Sequence, residues 1–168
     1  DAIRKLKIRG APAIGIVAAY GIFLGVKDVE EDDFDKFYKK FTKIKEYLSS
    51  SRPTAVNLFW ALNRMDKKVL SLKDRPLHEI KEALEEEAVL IQKEDEDVCR
   101  KIGENGLKIL KDNMSVLTHC NAGVLAASKY GTALAPIYMA KEKGLNIKVF
   151  ADETRPLLQG ARLTSFEL

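Results

Sequence analysis

The chain has 168 residues, 46% of them hydrophobic, which is enough to bury a core and too apolar for a disordered segment. With 28 basic against 25 acidic residues and a net charge of +3, no basic block dominates any segment, so no nucleic-acid footprint is expected. No apolar run reaches the roughly 18 residues of a membrane span, and the first residues lack the layout of a signal peptide. Cys99 and Cys120 match neither a zinc nor a disulfide spacing, so a reducing, cytoplasmic setting is expected.

In chain order, residues 2–7 read as the end of a helix that Arg9, Gly10, Ala11 and Pro12 break. A helix follows over 12–26 with proline in its first turn, where a missing amide hydrogen costs little. Free amides and the macrodipole at such a start favour an anion, Gly10 admits close approach, and Arg9 adds a bidentate donor. A plain helix-helix turn with a solvated arginine is the other reading. Residues 32–49 form an amphipathic helix with Asp32 or Asp33 as its cap and Phe34, Phe37, Tyr38, Phe41, Ile44 and Leu48 on one stripe. Arg52 and Pro53 then precede a helix over 55–70, so a second arginine stands beside a helix amino terminus and both can converge on one phosphate. Ser51 is the expected cap of that helix, and Phe59 and Trp60 are expected in the core.

A long helix is expected over 77–110, with His78 at the surface, Cys99 structural, and the acidic runs 85–87 and 94–97 on a solvated face. Gly103 and Gly106 weaken it and admit a close neighbour or a ligand. Val116 and Leu117 open a strand that ends in the polar cluster Thr118, His119, Cys120 and Asn121; a helix over 124–143 stops at Gly144, and a second strand covers 146–151. Strand, helix and strand in so short a span make a parallel crossover. Ligands of open α/β sheets bind at the carboxyl ends of the strands, so Cys120, Thr154, Arg155 and Gln159 are expected to share one crevice, the last on a helix from Leu157. Neither strand is followed by a dinucleotide fingerprint or a Walker loop. The fold class is thus α/β: a mainly helical part, 1–112, followed by the first half of a parallel-sheet domain, 113–168. A start at Asp1 and a stop where a third strand is due suggest a fragment truncated at both ends.

Four segments in order, Ile8 to Gly15, Ser51 to Asn57, Thr118 to Gly123 and Glu153 to Thr164, resemble the methylthioribose-1-phosphate isomerases. Ribose-1,5-bisphosphate isomerases and the regulatory subunits of the translation-initiation exchange factor share that fold, so fold alone does not define function. The resemblance implies a Rossmann-like carboxyl-terminal domain, a homodimer, a phosphorylated pentose substrate, a place in methionine salvage, and no metal or organic cofactor. It implies that Arg9, Gly10, Ala11 and Arg52 bind substrate, chiefly its phosphate, that Gln159 contacts the sugar or phosphate, and that Cys120 is catalytic. The family's partner to the cysteine, an aspartate on a later strand, and an Asn-Lys pair are expected beyond Leu168, so residues 1–168 alone are expected to be inactive.

Overall fold

Four helices account for most of the first hundred residues in the computed structural model, which describes residues 1–168. They are α1 (Ala11–Val26), α2 (Phe34–Ser49), α3 (Val56–Ser71) and α4 (Leu77–Leu107). After them come a four-residue strand, β1 (Ser115–Thr118), a single 3-10 turn at Val124–Ala126, α5 (Ala135–Glu142), β2 (Lys148–Ala151), a widened π-type turn at Gly160–Thr164 and a last short helix, α6 (Ser165–Glu167). The chain divides into two compact units, Asp1–Lys93 and Glu94–Leu168, and the division falls within α4.

The core of the first unit is the expected apolar stripes brought face to face. Ile14, Ala18, Ile22 and Val26 of α1 are buried with Phe37 and Phe41 of α2, Leu58, Leu62, Met65 and Val69 of α3, and Ile80, Leu84, Ala88 and Ile91 of α4. Asp33 caps α2, its Oδ1 accepting from the Lys36 amide at 3.0 Å. Asp66 of α3 accepts from Tyr38 Oη at 2.9 Å and from Lys45 Nζ at 2.7 Å, which ties α2 to α3.

Several expectations change here. Residues 2–7 form turns, not a helix. Ser51 closes the carboxyl end of α2, donating to the Leu48 carbonyl at 2.5 Å, while the N-cap of α3 is Ala55, which offers no side-chain cap. Phe59 and Trp60 are not core: they are 38% and 48% exposed, and Trp60 lies beneath the Arg64 guanidinium, 5.5 Å from ring centre to Cζ. Glu87 leaves the solvated face, since it is buried and pairs with Arg64 at 2.6 Å and Lys68 at 3.3 Å.

In the second unit β1 and β2 pair in parallel, Ser115 with Lys148 through Thr118 with Ala151. The segment between them is not the continuous helix expected over 124–143. Residues 127–134 fold back as a loop, with Tyr130 and Gly131 at φ 60° and 77° and the Thr132 amide on the Ala122 carbonyl at 2.8 Å. Helix α5 starts only where Pro136 enters its first turn. Gly103 and Gly106 of α4 do admit a close neighbour, and it is α5: a Cβ on Gly103 would stand 2.6 Å from Met139 Sδ, and one on Gly106 would overlap Pro136. No helix is long and apolar enough to cross a membrane.

Phe41 is fully buried among these helices. Phe41→Ala is expected to destabilise the protein by about 3–5 kcal/mol, measured as a shift in urea midpoint at unchanged slope.

Candidate functional site

The amino-terminal candidates lie in the first unit. Gly10 is the N-cap of α1 and Ala11 its first residue, and neither Gly10 nor Ala55, the N-cap of α3, offers a side-chain acceptor to the free amides behind it. The amino-terminal parts of the two helices meet closely: a Cβ on Gly15, the fifth residue of α1, would stand 3.0 Å from the Asn57 carbonyl oxygen in the first turn of α3, a contact tighter than ordinary packing that glycine relieves. Arg9 and Arg52, each one to a few residues ahead of these turns, are half-buried and enter no ion pair. Two uncapped helix starts with two uncommitted guanidinium groups form an arrangement suited to a phosphate, since amide hydrogens and dipole both point at the negative charge.

The carboxyl-terminal candidates lie in the second unit. Cys120 stands two residues past β1, half-buried, with the backbone at φ 60°. Its amide donates to Thr154 Oγ1 at 2.9 Å, and its carbonyl accepts from Thr164 Oγ1 at 2.5 Å. Thr154, two residues before the Pro156 that follows β2, is itself at φ 62° and donates to the Asp152 carbonyl at 3.2 Å. Asn121 Nδ2 donates to Thr164 Oγ1 at 3.3 Å and to Glu167 Oε1 at 2.9 Å. Glu167 also accepts from the amides of Val124 and Leu125, at 2.8 and 3.1 Å, and from Tyr138 Oη at 2.8 Å. Burial first, and then this bond to Glu167, push the Tyr138 phenol well above its usual range. On the outer side of the loop His119 Nδ1 and Asp152 Oδ2 lie 3.0 Å apart, both exposed.

The second unit therefore brings Thr154 onto Cys120, as expected, and leaves Arg155 out. Arg155 is 80% exposed and pairs with Glu153 at 2.7 Å. Gln159 is not within a regular helix from Leu157: residues 155–158 form a turn, and Gln159 precedes the π-type turn. It is half-buried, and its neighbour Gly160 packs so closely that a Cβ there would overlap the Asp152 carbonyl. A groove of about 420 Å³ in the same unit, lined by Ile137, Tyr138, Ile147, Val149, Ala151 and Leu168 among others, includes neither Cys120 nor Gln159. Thr164 and Glu167 escaped the sequence reading, because 44 and 47 residues separate them from Cys120 and no local pattern signals such a contact. Asp95 of α4 was also misread as solvated; it accepts from the amide and Oγ of Ser128, at 3.0 and 2.5 Å.

These two groupings, an anion-suited pair of helix starts and a cysteine held at the end of a parallel strand, belong to an α/β protein of one family. The chain is a member of the initiation factor 2 subunit family, whose sequence profile matches residues 7–168. It is 62% identical over 168 residues to a methylthioribose-1-phosphate isomerase of Symbiobacterium thermophilum, covering 100% of this chain and 47% of that one. It is 56% identical over 168 residues to a 5-deoxyribose 1-phosphate isomerase of Clostridium botulinum, covering 100% of this chain and 48% of that one. Among solved structures, the 5-methylthioribose 1-phosphate isomerase of Pyrococcus horikoshii superposes with a TM-score of 0.93 at 42% identity, over 99% of this chain and 46% of that one. The structure described as translation initiation factor eIF-2B, subunit delta, from A. fulgidus superposes with a TM-score of 0.89 at 46% identity, over 100% of this chain and 49% of that one. The chain thus spans about half the length of the relatives it matches.

The two cysteines differ in burial, Cys99 being buried and Cys120 half-buried. Cys99 is buried, and burial together with the nearby Asp95 carboxylate pushes its thiol up to about 11. Iodoacetamide at pH 8 is expected to label Cys120 and spare Cys99 in the native protein and to label both in urea, as read by peptide mass mapping. Gly160→Ala, which sets a methyl group against the Asp152 carbonyl, is expected to cost about 3 kcal/mol in urea denaturation.

Proposed function

We propose that this chain carries the phosphate-binding and cysteine-bearing parts of an aldose-ketose isomerase acting on a 5-substituted ribose 1-phosphate, converting 5-methylthioribose 1-phosphate to 5-methylthioribulose 1-phosphate in methionine salvage. The observation that carries the reading is 62% identity along all 168 residues to a protein of that name, in a chain that has Cys120 at the carboxyl end of a strand and unpaired Arg9 and Arg52 at helix starts.

In this reading the phosphate sits against the amides of Gly10, Ala11 and the first turn of α3, with Arg9 and Arg52 donating to its oxygens. Gln159 contacts the sugar or the phosphate. The anomeric carbon of the substrate is locked as a phosphate ester, so the ring opens with acid-base help before hydrogen moves from C2 to C1. Cys120 assists that transfer, and the second acid-base group is the aspartate that the family resemblance puts beyond residue 168. A positioned acid or base of this kind contributes about 10²–10⁴-fold. Substrate and product are at the same oxidation level, so the reaction calls for no external electron carrier. The functional form is a cytoplasmic homodimer.

A second substrate has specific support. The 56% identity to a 5-deoxyribose 1-phosphate isomerase favours a site that takes a small apolar group at this end in general, and 5-deoxyribose, whose C5 is a bare methyl group, is the smallest case. Ribose 1,5-bisphosphate instead demands a charged pocket at that end. A non-catalytic regulatory role, suggested by the similarity to the subunit delta structure, predicts no turnover of any of the three sugars.

The full-length protein, wild type beside Cys120→Ala, is to be assayed with all three sugar phosphates. Turnover of the methylthio or deoxy sugar that falls by about 10²-fold or more in the variant is the expected result. Absence of turnover in the wild type would turn the assignment to the regulatory reading, and preference for the bisphosphate would replace the substrate.

A further inference from the structure

We propose that Thr154 and Thr164 are positioning residues for Cys120, their hydroxyls holding the peptide groups on either side of its Cα and so fixing where its thiol points. This rests on the reading of Cys120 as the catalytic group.

The hydrogen-bond directions leave each hydroxyl one arrangement. Thr154 Oγ1 accepts the Cys120 amide at 2.9 Å, so its own hydrogen goes to the Asp152 carbonyl at 3.2 Å. Thr164 Oγ1 accepts from Asn121 Nδ2 at 3.3 Å, so its hydrogen goes to the Cys120 carbonyl at 2.5 Å. The Asn121 amide is itself turned by Glu167, which accepts from the same Nδ2 at 2.9 Å. The amide of Cys120 governs φ and its carbonyl governs ψ, so a bond to each immobilises both torsions. With both fixed, the Cα–Cβ direction is fixed, and only rotation about one bond remains to the sulfur.

The conformation held in this way is one the chain does not favour. Cys120 sits at φ 60°, in the left-handed region that non-glycine residues seldom enter. Thr154, a β-branched residue, sits there too, at φ 62°, where such side chains are genuine outliers. Unfavourable torsions persist only where surrounding structure over-determines them, and they concentrate at sites of function. Thr164 is fully buried, and it is delivered to the Cys120 carbonyl by the π-type turn Gly160–Thr164, an irregularity that likewise concentrates at functional positions.

The test compares Thr154→Val, Thr164→Val, Thr154→Ser, Thr164→Ser and Cys120→Ala in the full-length protein with 5-methylthioribose 1-phosphate. Valine keeps the shape and removes the hydroxyl; serine keeps the hydroxyl. Misplacing a reacting group by about an ångström costs up to about 10²-fold, so each valine variant is expected to lose about 10–100-fold in kcat while KM stays within about threefold. Each serine variant is expected to keep kcat within about threefold of wild type by the same reasoning. The rate of Cys120 alkylation by iodoacetamide is expected to change in the valine variants and not in the serine variants. Should a valine variant fail to fold by thermal melting, the alanine variant, which leaves room for water, takes its place in the same comparison.

Folded valine variants with wild-type kcat, or serine variants as slow as the valine ones, would overturn the proposal. If Cys120→Ala turns over like wild type, the reading of Cys120 fails and this inference with it; if Cys120→Ala collapses while the threonine variants do not, the inference fails alone.

Discussion

Both peptide groups of Cys120 are tied to the segment that follows β2, and the local geometry of the second unit depends on that tie. Parallel pairing makes it possible. Two parallel strands end at the same level, so the chain leaving β1 and the chain leaving β2 emerge side by side. The register continues one step past the strands, the Asp152 amide donating to the Thr118 carbonyl at 3.0 Å. Beyond that step the two segments bond through side chains instead, and Thr154 and Thr164 take over from the ladder. Glu167 then gathers the amides of the 3-10 turn, the Asn121 side chain and the Tyr138 hydroxyl onto one carboxylate. A carboxylate with four donors is well satisfied, and removing it would leave several partly buried donors without a partner.

The first unit solves a different problem with a different device. In the proposed reading its task is to hold a phosphate, whose dense negative charge would be met by amides that the helices leave unpaired in any case. Bringing two helix starts together requires their backbones to approach closely, and Gly15 against the Asn57 carbonyl supplies the space. The aromatic stripe of α2 and the apolar faces of α1, α3 and α4 hold the helices in that packing from below. The ion pairs elsewhere in the unit, such as Glu87 with Arg64 and Lys68, use up other charges and leave Arg9 and Arg52 uncommitted.

Membership of the family does not by itself separate an isomerase from an initiation-factor subunit, because the solved structures of similar fold include proteins described as each. The isomerase reading stands on the 62% identity to a methylthioribose-1-phosphate isomerase, in a chain that has Cys120, Arg9, Arg52 and Gln159. The exposed pairing of His119 with Asp152 belongs to the same strand ends, yet nothing in its setting requires a chemical role.

How much was legible in the sequence follows from the range of each interaction. The four long helices of the first hundred residues, a cap at Asp32 or Asp33, the Gly144 stop, the parallel pair of strands and the placement of Cys120 at a strand end were readable, because each depends on periodicity or on residues a few positions apart. The break in the expected helix over 124–143 was not, since helical spacing from Val124 to Leu134 is overridden by a fold-back onto Ala122 that only tertiary contact stabilises. Trp60 and Phe59 looked apolar enough for a core and stand half-exposed, for which side a helix turns outward depends on what packs beneath it. Thr164, Glu167 and Asp95 reach Cys120, Asn121 and Ser128 across 33 to 46 residues of chain. The sequence by itself determined which groups can carry chemistry and on which elements they ride; the tertiary structure decided which hydroxyls and carboxylates hold them in place, because a hydrogen bond is selected by distance in space and leaves no period in the chain.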